Sequence, residues 1–360
     1  MTEKEKTKWI EFSLVKGLNQ ILLMELYLFN KNPFEIEIQG EDFFKKITGR
    51  KIDFNEKIKA LDEELSIMKK EKIKTVFIED EEYPKLLREI KHPPLFLRIK
   101  GTIPKDSERM IAIVGTRRYT PYGRRITQHF CEELVRRNFH IVSGFARGID
   151  TIAHKTAIEN RGKTIAVFGS GIDVVYPPEN KNLVQKIVEN GAIVSEYPCG
   201  TQPLKRNFPE RNRIISGICF GVCVMEAPSR SGALITADFA LEQGREVWAC
   251  CGEIFEKTFQ GCFNLIKEGA KLLTSIEDIM EEIELPMEFA EKKEINKQEN
   301  LNLTRNQKLV YDVIGFKPIL FDEIKAKTNF STPEIFKLLT ELQIYGFIET
   351  YPGGKFVRKK

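Results

Sequence analysis

From Met110 onward, short apolar runs alternate with amphipathic segments of helix length, and this rhythm restricts the fold more than any other feature of the chain. The runs are "MIAIVG", "HIVSG", "KTIAVFG", "AIVSEY", "CFGVCVMEA" and "EVWACC". They are almost continuously apolar, so a strand made from any of them has no face to offer water. Strands of this kind, each followed by a helix, predict a parallel sheet covered on both sides. The expected fold is therefore α/β, with a Rossmann-like, doubly wound, mainly parallel sheet over about residues 105–285. In such sheets ligands lie beyond the carboxyl ends of the strands, where helix N-termini offer free N–H groups.

The flanks read differently. Residues 1–100 combine helical patterns such as "FNEKIKALDEELSIMKKEKI" with the proline-punctuated "EDEEYPKLLREIKHPPLFLRIKG", which predicts a small N-terminal helical domain and a tether. A charged stretch, "EFAEKKEINKQENLN", has linker composition, and the linker is expected over 286–302. Residues 303–360 read as three helices and a hairpin, with Thr304 and Ser331 as N-caps and "PGG" at the turn, a C-terminal winged-helix pattern.

Lysine plus arginine (56) barely exceed aspartate plus glutamate (52), so a polyanionic partner would require positive charge gathered locally. Seven cysteines without a C-x-x-C pair fit a reducing compartment. The opening "MTEKEKTKWIEF" is not followed by an apolar core of signal-peptide type, and no uncharged stretch approaches the roughly 20 residues that span a bilayer. The expectation is a cytoplasmic protein with no membrane contact.

The loops after the strands hold the unusual chemistry. The first, "GTRRYTPYGRR", has Gly115 for the turn and Thr116, Arg117 and Arg118 over the next helix, though a solvated arginine pair would read the same. The second, "SGFARGIDTIAH", has Gly144, Arg147 and Gly148, with Asp150 expected to cap the following helix and to pair with His154 four residues on. The third, "FGSGIDVVYPPEN", is a broken G-x-G-x-x-G with Val174 in the last place, and no phosphate-loop lysine motif occurs anywhere. Neither a dinucleotide nor any other cofactor is expected. In "EAPSRSGALITADFA", Ser229, Arg230, Ser231 and Gly232 precede a helix, as a phosphate cradle or a plain capping turn would.

The densest charge is in "KRNFPERNRI". Lys205, Arg206, Arg211, Asn212 and Arg213 surround Phe208 and Pro209. A single phosphate engages two or three such groups, so the surplus points to several phosphates in a row. Phe208 offers a face on which a base stacks, worth about 1–3 kcal/mol per base in single-strand binders. A partner both anionic and flat is most simply a single-stranded nucleic acid.

The series "GTRRYTPYG", "SGFARGIDTIAH", "GSGIDVVYPPEN", "SEYP", "FPERNRIISG", "VMEAPSRSGALITADFALEQGR" and "LIKEGA", in this order, closely resembles the DNA processing protein A (DprA/Smf) family over about residues 80–275. The resemblance implies a non-enzymatic binder of incoming single-stranded DNA that protects the strand and loads the RecA recombinase during natural transformation. It also implies a homodimer formed through the Rossmann-like domain, and DNA contacts at Arg117, Lys205 and Phe208. Three positions depart from the family pattern: Thr116 replaces the commoner serine, Cys251 stands where proline is usual, and Phe263 where asparagine is usual.

A second reading is an enzyme related to phosphoribohydrolases, with Asp150, Asp173, Glu196 and Glu226 as its carboxylates. Against it, the P-G-G-x-G-T signature of those hydrolases is missing at "APSRSGALIT". A third reading, a transcription regulator, rests on the winged helix alone. The helix that would read DNA there carries Lys337 against Glu334 and Glu341, a poor balance for a major-groove reader.

Overall fold

The structure is a computed structural model that describes residues 1–15, 17–38, 45, 49, 57–105, 109–283, 303–315, 318–328, 330–351 and 353–358. The linker expected over 286–302 lies outside the described residues. The chain divides into two compact units, Met1–Glu284 and Leu285–Lys360.

All six apolar runs are strands of one nine-stranded sheet. They are β3 (Met110–Val114), β4 (His140–Ser143), β5 (Thr164–Val167), β6 (Gly191–Ser195), β7 (Gly221–Val224) and β8 (Glu246–Cys250). With β9 (Lys271–Leu273) they form a parallel array, extended at the β6 edge by antiparallel β2 (Phe96–Gly101) and β1 (Lys74–Phe77). The order is β1-β2-β6-β5-β4-β3-β7-β8-β9. Ile111, Val142, Ile165, Val194 and Val222 are completely buried, as strands covered on both faces require. The chain winds outward from β3 to β6, then returns to the other side of β3 as β7. The switch point between β3 and β7 is where a doubly wound sheet opens a crevice.

Among the described residues, the helices α1 (Glu3–Ser13), α2 (Gln20–Phe29), α3 (Pro33–Ile38) and α4 (Lys57–Glu71) precede the sheet. They do not form a separate domain ahead of a tether. Trp9, Phe12, Leu23 and Leu26 share one core with Val194 and Val222, and part of the stretch read as tether forms β1, the short α5 (Lys85–Arg88) and β2. One guanidinium fastens the two parts. Arg98 of β2 is fully buried, pairs with Glu64 of α4 at 2.5 Å, and donates to Ser13 Oγ at 3.0 Å and to the Glu196 carbonyl at 3.3 Å. Val15 and Leu18 are buried too, and the Gln20 amide bridges the Glu196 carbonyl and the Leu95 N–H. Val15, Leu18 and Gln20 thus serve packing.

The remaining helices of this unit are α6 (Pro121–Arg136), α7 (Ile149–Glu159), α8 (Lys181–Glu189), α9 (Asn207–Ile218), α10 (Gly232–Glu242), α11 (Gln260–Lys267) and α12 (Glu277–Met280). Cys131, Cys219, Cys223, Cys250 and Cys262 are buried free thiols, which burial pushes upward in pKa, so they act as small apolar side chains. No helix among the described residues is long and apolar enough to cross a membrane.

The second unit contains α13 (Arg305–Val313), α14 (Phe321–Thr328) and α15 (Thr332–Ile344), with strands β10 (Ile319–Leu320), β11 (Ile348–Tyr351) and β12 (Lys355–Arg358) in the order β10-β12-β11. Thr304 and Ser331 both form capping boxes, as their positions predict. Val310, Ile324 and Leu339 centre its core.

Candidate nucleic-acid interface

The loop after β3 is held from below. The Thr116 N–H donates to the Glu226 carbonyl at 2.7 Å, and Thr116 Oγ1 accepts from the Arg118 N–H at 3.1 Å. The Glu226 carboxylate accepts from the Thr120 N–H and hydroxyl at 3.0–3.1 Å, while Thr120 caps α6 through the Gly123 N–H. Burial pushes the Glu226 carboxyl up in pKa, against hydrogen bonds from Thr258 and Thr120. A residue just beyond β7 thus locks the β3 loop across the switch point. Arg117 and Arg118 are exposed above it and make no ion pair among the described residues.

The loop after β4 fits against that backbone. Gly148 has φ +85°, and a Cβ there would come within 2.2 Å of the Thr116 carbonyl oxygen and 2.6 Å of Arg117 Cα. Glycine is therefore required twice over, by conformation and by contact. Asp150 does not cap the helix ahead of it: the N-cap is Gly148, and Asp150 Oδ2 accepts from the Gly144 and Ala146 N–H groups behind it at 3.1 and 3.2 Å. Nor does it pair with His154, whose Nδ1 bonds Thr164 Oγ1 at 2.7 Å. Arg147 is exposed and paired with Glu179 at 2.6 Å.

The most charged stretch separates into two layers. Lys205 and Arg206 are exposed just before α9. Phe208, in the first turn, is half-buried, with its ring against Gly169 and 5.6 Å from the Tyr176 ring. Arg211, Asn212 and Arg213, expected to face a ligand, are buried and turned inward. Arg211 donates to the carbonyls of Gly144, at 3.0 Å, and Val167, fastening α9 to the ends of β4 and β5, and burial lowers its pKa to about 10. Asn212 donates to the Gly232 carbonyl at 3.2 Å. Arg213 makes a bidentate pair with Glu196 at 2.6 and 2.7 Å. Burial works against the Arg213 charge, but Glu196 outweighs it and the pKa is raised.

In the loop after β7, Ser231 caps α10 by accepting from the Ala233 N–H at 3.2 Å. The plain capping turn describes this residue. Gly232, Ser229 and Arg230 are exposed beside it, and the space where a Gly232 side chain would stand is open.

The strand ends therefore follow one another as Phe208 with Tyr176 over β5, Gly144–Gly148 over β4, Arg117 over β3 and Ser231 over β7. Adjacent strands lie about 4.8 Å apart, so the Phe208 platform and the Arg117 loop are separated by roughly 10 Å. The N-termini of α6, α7 and α10 all open on this edge and add positive dipole ends. Tyr176, the partner of Phe208, escapes a reading of the sequence; its signal is the aromatic in "VYPPEN", a few residues after a strand-end G-x-G.

The carboxylates of the enzymatic reading are each taken up elsewhere. Asp173 accepts from the Gly200 N–H at 2.8 Å, Glu196 pairs with Arg213, Glu226 holds Thr120, and Asp150 holds its own loop.

Residues 74–284 match the family model described as DNA recombination-mediator protein A, and residues 296–354 match the DprA winged helix domain. The chain belongs to the DprA/Smf family. Protein Smf of Synechocystis sp. is 32% identical over the whole of both chains. The X-ray structure of DprA from Streptococcus pneumoniae superimposes with a TM-score of 0.64 at 38% identity, covering 79% of this chain and 99% of that one. A DprA structure from Helicobacter pylori, described as giving insight into a unique single-stranded DNA binding mode, superimposes with a TM-score of 0.52 at 30% identity, covering 58% and 94%. DprA membership makes the chain a DNA recombination-mediator protein.

Proposed function

We propose that this protein binds single-stranded DNA along the strand-end edge of its sheet, protects the strand, and loads RecA recombinase on it during natural transformation. It works as a homodimer through the Rossmann-like domain, in the cytoplasm, and without catalysis. The observation that carries the reading is the pairing of an aromatic platform, Phe208 and Tyr176, with cations that are exposed and make no ion pair among the described residues, Arg117, Arg118, Lys205 and Arg206. Gly115 and Thr116 shape the first loop, Gly144 and Gly148 bring the second close to it, and Ser231 and Gly232 border the far side. Such a surface reads backbone charge and the face of a base, and not base edges. The structural relative with a single-stranded DNA binding mode supports this direction, and the prior engagement of all four carboxylates supports binding over glycosidic chemistry.

The test is a salt titration with oligo-dT and the matching duplex. Single strands bind more tightly, and affinity falls steeply with salt. Arg117→Ala and Lys205→Ala each reduce the log–log slope by about 0.7, the value for one phosphate contact on a single strand. Phe208→Ala weakens binding by about 1–3 kcal/mol with the slope unchanged. Equal affinity for both forms overturns the reading. RecA loading is measured separately, as faster filament nucleation on oligo-dT carrying this protein; no acceleration removes that part.

A further inference from the structure

Beside the Arg117 loop, between α6 and α7, lies a cleft of about 420 Å³ that shares Arg147 and Gly148 with the surface described above and extends away from it. Arg124 and Gln128 of α6 line one wall, and Arg147 and Lys155 the other, with Tyr119 also lining it. Arg124 and Lys155 are exposed and make no ion pair among the described residues. Glu159 also lines the cleft, and Glu179 holds Arg147, so the balance is positive but not extreme.

The cleft is continuous with the first site. Gly148 lines it and at the same time touches the backbone of Thr116 and Arg117. Tyr119, two residues beyond Arg117, brings a half-exposed aromatic ring to the cleft. Arg124 and Lys155, unpaired among the described residues, in a polar-lined hollow that begins where the phosphate-facing loop ends, match a run of backbone phosphates.

We propose that this cleft is a second phosphate-binding site, and that it takes the sugar–phosphate backbone of the same DNA strand after it passes Phe208 and Arg117. The proposal rests on the single-strand reading. It makes the footprint longer than the Phe208 platform alone, with Arg124 and Lys155 as contact residues needed only by strands long enough to reach them.

The experiment compares full-length protein with the Arg124→Ala/Lys155→Ala double variant, checked for unchanged thermal unfolding, by fluorescence anisotropy on oligo-dT of about 6 and about 30 nucleotides. For the long strand the double variant binds about tenfold more weakly, and its salt slope is shallower by about 1.4, two contacts of about 0.7 each. For the short strand affinity stays within about twofold. Phe208→Ala weakens both lengths. Unchanged long-strand binding in the double variant, with Phe208→Ala still damaging, overturns the cleft and leaves the first site standing. An equal loss at both lengths also overturns it, because the cations then act as a general field. Loss of neither length in Phe208→Ala and Lys205→Ala overturns the first reading, and the cleft proposal falls with it.

Discussion

Arg213 and Lys205 lie eight residues apart in one basic stretch, yet their removal should have opposite consequences. The Arg213 and Glu196 side chains are 8% and 6% exposed, and Arg213 also donates to the His92 and Glu210 carbonyls at 3.2 Å. Arg213→Ala leaves the Glu196 carboxylate buried without its counter-charge, a change that costs about 3–5 kcal/mol. Each kcal/mol lowers Tm by roughly 2–4 °C in a unit of this size, so Tm falls by about 6–20 °C. Exposed Lys205→Ala changes stability by no more than about 0.5 kcal/mol. Calorimetry reads the first effect, and anisotropy with oligo-dT, well below the transition, reads the second. Folded Arg213→Ala keeps its affinity within about twofold, whereas Lys205→Ala loses affinity and keeps its Tm. The double change Arg213→Met with Glu196→Leu recovers most of the lost stability, since neither charge is left behind. Refutation is an Arg213→Ala protein that melts within about 2 °C of wild type and has lost DNA binding.

Three further outcomes follow from the same packing. Burial, with Arg211 next, holds the His154 pKa at about 3, while the unfolded value is 6.5, so between those pH values the unfolded state carries the extra proton and stability falls as pH falls. The loss amounts to about 2 kcal/mol between pH 8 and pH 5, and urea melts of His154→Gln should show a correspondingly flatter pH profile; an unchanged profile refutes the assignment. Gly123→Ala would place Cβ 1.6 Å from Glu226 Oε2, so it should destabilise by more than about 2 kcal/mol, and a melt equal to wild type counts against the clamp on the first loop. Truncation after Glu284 should leave oligo-dT affinity within about threefold, because the helix α15 of the second unit carries little net charge; single-strand binding retained only by the isolated winged helix would sink the strand-end site.

The interior strands were legible because an apolar run of five residues that is dry on both faces has few other places to go. Strands β1 and β2 were not, and Arg98 explains why. A charge in "FLRIKG" reads as solvent exposure, but its partner Glu64 lies 34 residues away on a helix, a pairing no local pattern reveals. The same blindness affects the candidate site. Residue type shows that Arg211 and Arg213 are cationic, but only the fold supplies the carbonyl of Gly144 and the carboxylate of Glu196. Lys205 and Arg117 are exposed and Phe208 is half-buried, so these side chains keep the chemistry that their letters announce. β9 is three residues long and partly exposed, too short for any periodicity to mark it.

The seam between β3 and β7 also has a consequence in time. Ile111 pairs with Gly221, and Thr116 donates to Glu226, contacts that join residues 110 positions apart in the chain. Such long-range closure is slow to form. During synthesis, at about 5–20 residues per second, Arg117 is made roughly 5–20 s before Glu226. In that interval the nascent chain has its arginines but no loop geometry to aim them, and any nucleic acid nearby meets bare charge before it can meet a pocket.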